Sequence, residues 1–92
     1  MRDKDIIQFL NSLQGKTVNI KSSGYISCQT VINELEYVIK YEIITVKDKQ
    51  TDNFIVIDLR RIKDIKINRN QISILIFIED EVETEIVITK IK

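Results

Sequence analysis

The chain contains no histidine. That absence removes Ser-His and Cys-His nucleophile pairs and every His-ligated metal site. Cys28 is the single cysteine, so an intrachain disulfide and a Cys-based zinc cage are excluded. Proline, tryptophan and alanine are missing, and glycine occurs only at Gly15 and Gly24. Two isolated glycines cannot build a phosphate-cradling loop. Net charge is absent too, with 14 basic and 14 acidic residues. A mainly electrostatic binder of nucleic acid or membrane shows a basic excess, so that class is disfavoured. No apolar run approaches the ~18–20 residues of a membrane span. No signal peptide opens the chain, and a cytoplasmic setting is the expectation.

What remains is a chain of 92 residues with 20 isoleucines. That length suits one domain, 1–92, with a thin stability margin. Isoleucine packs well on a pleated surface, and alanine is a leading helix former. The composition therefore predicts a mainly β chain. It also suits a low-GC genome, bacterial or phage.

Periodicity divides the chain into a short helix over 1–14, barrel-like strands over 15–67 and a C-terminal hairpin over 71–92. Ile6, Leu10 and Leu13 fall at helical spacing with Phe9 beside them. Asp3 or Asp5 suits the helix start, and Gly15 suits its stop. From Gly15 the period becomes two, with Val18 and Ile20 inward. Ser22-Ser23-Gly24 predicts a turn. Ile26, Cys28, Thr30 and Ile32 then share one face, which predicts a buried thiol. Residues 35–46 read as one long strand with Leu35, Tyr37, Ile39, Tyr41 and Ile43 on one face. The Ile43-Ile44 pair predicts a bulge or bend within it. Residues 47–53 are a loop. Residues 54–59 are apolar on both faces except Asp58, and Arg60-Arg61 form a corner. Residues 62–67, 72–78 and 82–91 complete about seven strands.

This order resembles the Sm-like small barrels over roughly residues 6–67. The helix Ile6-Phe9-Leu10-Leu13 leading into Gly15-Lys16-Thr17-Val18 is similar to the family's helix and first strand. Gly24 sits where the family turns between strands. Ile55-Val56-Ile57-Asp58-Leu59-Arg60-Arg61-Ile62-Lys63-Asp64-Ile65 looks like the family's second motif, two strands joined by a tight corner. The resemblance implies a small Sm-like barrel with a short N-terminal α-helix, to which 72–91 adds an extra C-terminal β-hairpin. It stays at the level of fold. The family's Arg-Gly corner is Asp58-Leu59 here, Gln29 replaces a glycine, and Leu35 and Ile39 fall where base-binding polar residues would stand.

Charge is segregated along the chain. Residues 53–71 carry a net +3 and residues 72–92 a net −3, so the two stretches can pair internally or between subunits. Arg60, Arg61, Lys63, Lys66 and Arg69 are the candidate binding residues, for phosphate or an acidic partner. The competing reading is a solvated corner paired to its own carboxylates. The acidic stretch Glu79 to Glu85 lacks the glycine of a hard-cation loop and reads as a solubilising tip. Tyr25, Tyr37 and Tyr41 could stack bases, although Tyr37 and Tyr41 share a face with core residues, and Tyr25 is the one expected at the surface.

The apolar strand 72–78 needs cover on both faces. Either it is central beneath the helix, or Ile72, Ile74, Ile76 and Ile78 meet another subunit. The function expected is a non-enzymatic protein-interaction module, homo-oligomeric through strand and hairpin contacts. A dimer comes first, another protein is the further partner, and no membrane contact or cofactor is expected. The second reading is an Sm-like RNA binder using the basic corner at 60–69. A third is a phage or mobile-element inhibitor of a host factor. No nucleophile-base pair or metal-ligand set is visible.

Overall fold

A computed structural model describes residues 2–24, 27–79 and 82–91. The chain opens with helix α1 (Arg2–Ser12) and continues through β1 (Val18–Gly24), β2 (Cys28–Ile32), β3 (Leu35–Lys40) and β4 (Ile43–Asp48). β5 (Phe54–Asp58), a 3-10 turn (Leu59–Arg61), β6 (Ile62–Ile67), β7 (Gln71–Glu79) and β8 (Val82–Lys90) follow. The expected helix and C-terminal hairpin are both present.

The strands form two antiparallel sheets. The larger has the order β2-β1-β8-β7-β6 and the smaller β3-β4-β5. Their inner faces meet in one core, and they do not close into a barrel. The mainly β class with one short N-terminal helix is as expected, and with two sheets and no closed barrel among the described residues nothing in the fold identifies the Sm-like barrel. The C-terminal hairpin accounts for the larger sheet, because β8 pairs β1 while β7 pairs β6.

α1 buries Ile6, Phe9 and Leu10, and Leu13 just past its end is buried with them, the face the spacing predicts. The helix stops where a left-handed residue is needed, and Gly15 supplies it at φ +77°. Nothing crowds a Cβ there, so the constraint is the backbone angle. Gly15 N–H donates to Leu35 O, and Leu35 N–H donates to Lys16 O. These bonds tie the helix exit to the start of β3.

β1 runs through Ser22-Ser23 to Gly24 instead of turning there. Gly24 lies at φ +121°, and a Cβ on it would come within 2.8 Å of Glu83 O. The glycine is required by close strand approach as well as by its angle. Tyr25 and Ile26, and the Asp80-Glu81 part of the acidic stretch, lie outside the described residues.

Residues 35–46 are two strands, not one. β3 and β4 join through Tyr41 and Glu42, both left-handed at φ 53° and 64°. Lys40 pairs with Ile43, so this is a two-residue hairpin of the type that matches strand twist. The hairpin resets the alternation, which explains the Ile43-Ile44 pair without a bulge. It also moves Tyr41 into the turn, 83% exposed, and off the core face. The turn lacks Gly and Asn but is held from outside, since Leu59 N–H donates to Glu42 O at 2.9 Å.

Candidate functional site

The basic corner is built by its own carboxylates. Asp58 caps the 3-10 turn, accepting from Arg60 N–H at 3.0 Å. The Arg60 guanidinium then grips the same carboxylate through Nε at 3.0 Å and Nη2 at 2.9 Å. That bidentate bond holds Asp58 below the usual carboxylate range and raises Arg60. Arg61 donates to Ile78 O at 3.1 Å and lies 3.8 Å from Asp58. Lys63 Nζ sits 2.6 Å from Glu83 and over the Phe77 ring. Arg61 and Lys63 therefore brace the corner against β7 and β8, while Arg60 is held by Asp58 and lies 3.9 Å from Glu42 in the β3–β4 turn. Lys66 and Arg69 are exposed and have no carboxylate within ion-pair distance among the described residues.

The second predicted set is placed in the interior. Ile72 and Ile74 are fully buried, and Ile76 retains 8% of its surface. They point between the sheets, so their side chains offer a second subunit nothing to touch. Ile78 is half-buried at the rim. The apolar stretch 72–78 is covered within 92 residues because β7 is flanked by β8 and β6 in its sheet and the smaller sheet caps its inner face. Its outward Leu75 and Phe77 are half-buried among polar neighbours.

Uncovered apolar surface is found instead on the smaller sheet. Val38 is 50%, Val56 49% and Phe54 61% exposed. Val38 pairs with Thr45, and Thr45 with Val56, so the three form one outward row across the sheet. Tyr41 in the adjoining turn is exposed as well, whereas Ile39 belongs to the opposite row with the buried Ile44 and Ile57. β5 is an edge strand, and its first four residues, Phe54-Ile55-Val56-Ile57, carry no charge. The edge strand β6, by contrast, displays Lys63, Asp64 and Lys66, the usual protection of an open edge. Sequence reasoning missed this surface because a run apolar on both faces predicts burial on both.

A partly open apolar cavity of about 180 Å³ lies between the sheets under β5. Ile20, Ile55, Val56, Ile76, Ile78 and Ile86 line it. Ser22, Cys28 and Thr84 supply its polar wall. Cys28 is exposed, contrary to the buried thiol its alternation predicts. It begins an edge strand whose burial rises only towards Ile32. Its Sγ lies 3.1 Å from Ser22 Oγ, which also accepts from Cys28 N–H.

Asp48 is the polar residue that sequence reasoning left in a loop. It ends β4, is 4% exposed, and fastens two loops. Its carboxylate accepts from the N–H groups of Asn33 at 2.9 Å, Glu34 at 3.1 Å and Gln50 at 2.9 Å. The Thr51 hydroxyl adds a fourth bond at 3.2 Å. The Asn33 N–H is the largest of the influences that hold its pKa below the ordinary 3.8.

Tyr37 donates to Asn11 and is half-buried, so it is placed as a brace between α1 and β3. Among the described residues, no group of three or more metal-ligating side chains converges. No helix among the described residues is long and apolar enough to cross a membrane. No family model, curated protein or solved structure matches the chain.

Proposed function

We propose that the chain is a non-enzymatic interaction module that pairs with a second copy of itself through the β5 edge. The observation that carries this reading is the uncharged β5 edge, flanked by the exposed row Val38, Thr45 and Val56. Exposed apolar patches of this kind mark interaction surfaces, and edge pairing is the simplest way for a sheet to use one.

The edge is self-complementary. Antiparallel pairing about Val56 sets Ile55 against Ile57 and Phe54 against Asp58 of the second copy. The outward valine row then continues from one small sheet into the next. Asp58 adds no bare charge to this contact, because Arg60 and Arg61 already neutralise it. The module acts in the cytoplasm, where its single thiol stays reduced.

Size-exclusion chromatography with light scattering, read at 260 and 280 nm, tests the reading. The expected result is a concentration-dependent dimer free of nucleic acid. A ring-sized mass with excess 260 nm absorbance would replace it with the Sm-like RNA reading. A monomer at all concentrations would send the search to other protein partners.

A further inference from the structure

We propose that the cavity between the sheets is a binding site for a small, uncharged apolar ligand, the size of one substituted aromatic ring or a branched alkyl group. The proposal does not depend on self-association.

Volume sets the size class. A dry apolar cavity of about 150 Å³ accommodates benzene, and this cavity measures about 180 Å³. That leaves room for a ring and one or two methyl groups, and too little for a nucleotide or a drug-sized molecule. Lining chemistry sets the polarity. Five isoleucines and Val56 form the walls, so an occupant gains dispersion contacts and loses water. The polar wall is already satisfied internally. Ser22 and Cys28 bond to each other, and no buried side-chain polar atom lacks a partner among the described residues. A ligand hydroxyl or carboxylate would enter without a hydrogen bond waiting for it, which selects against polar and charged ligands. Access comes from the position of the cavity. It lies beneath an edge strand, and its wall includes the exposed Cys28 and half-buried Ile78.

The walls report on themselves, because five lining residues carry isoleucine δ1 methyls. Full-length protein is titrated with toluene and, in parallel, with benzoate, and the methyl spectrum is followed. The expected result is saturable shifts at Ile20, Ile55, Ile76, Ile78 and Ile86, half-complete on the order of 1 mM. Ile6, Ile32 and Ile72 in the core outside the cavity should not move, and benzoate should bind at least tenfold more weakly. Ile78→Phe fills the cavity from the rim and should abolish the toluene shifts with the melting temperature kept or raised. Cys28→Leu fills it from the opposite wall and serves if Ile78→Phe does not fold. Shifts that never saturate, that spread through the whole core, or that survive both fillings would overturn the proposal. So would methyl contacts showing a side chain of a second copy in the cavity.

Discussion

The two sheets share one alternation of inward apolar residues, yet they treat their outer faces differently. On the larger sheet each outward apolar residue sits among polar ones. Val87 lies in the row Gln29, Lys21, Val87, Ser73 and Lys66. Leu75 lies in the row Ser23, Glu85, Leu75 and Asp64, and Ser73 donates to Glu85 across the two rows. On the smaller sheet the central outward row is Val38, Thr45 and Val56, with Phe54 beside it. Isoleucine alternation specifies an inside for both sheets. Only the identity of the alternate residues decides whether the outside faces water or a partner.

Four variants probe that difference, in falling order of effect. Ile74→Asp puts a charge on the fully buried face of the larger sheet. It should cost more than ~4 kcal/mol, enough to unfold a domain whose whole stability is of order 5–14 kcal/mol. Loss of the folded circular-dichroism signal checks this. Gly24→Ala should cost about 1–3 kcal/mol, because the φ is unfavourable and Glu83 O blocks the Cβ. A urea midpoint shift measures it. Val56→Lys places one charge in the exposed row of the smaller sheet. Stability should change by no more than ~0.5 kcal/mol, while dimer dissociation strengthens tenfold or more, ~1.4 kcal/mol. If Val56→Lys unfolds the chain instead, that face is core and the contrast between the sheets fails. Arg60→Ala with Arg61→Ala should leave the fold intact and lower the melting temperature slightly, since Asp58 loses its exposed partners but keeps the turn N–H.

Acid adds a fifth expectation. Asp48 has a lowered pKa in the fold, so its contribution is fully present above its unfolded value near 3.8. It declines as pH falls from there through the folded value. Thermal melts between pH 7 and pH 2 should show this decline, and Asp48→Asn should lessen it. An unchanged acid limb in that variant would assign the decline to other carboxylates.

Much of this architecture was legible from spacing. The helix face at Ile6, Leu10 and Leu13, the Gly15 stop, the inward Val18 and Ile20, and the closing hairpin all follow from local periodicity. The misread parts depend on contacts distant in sequence. Tyr41 and Glu42 form a turn without turn residues because Leu59 and Arg60 hold it from the corner. Asp48 reads as loop because its partners at Asn33 and Glu34 are 15 and 14 residues away. Cys28 alternates in phase with the core but begins an edge strand whose burial rises only towards Ile32. The isoleucines of 72–78 were legible as needing cover, but not which sheet would provide it. The uncharged β5 edge was visible as four letters, and only the strand order turns it into a surface.

Amide hydrogen exchange across a hundredfold range of protein concentration tests the β5 contact most directly. Pairing through this edge predicts that protection at Phe54, Ile55, Val56 and Ile57 rises with concentration, while β6 amides on the charged edge stay unchanged. β5 amides whose protection is the same at every concentration would contradict it.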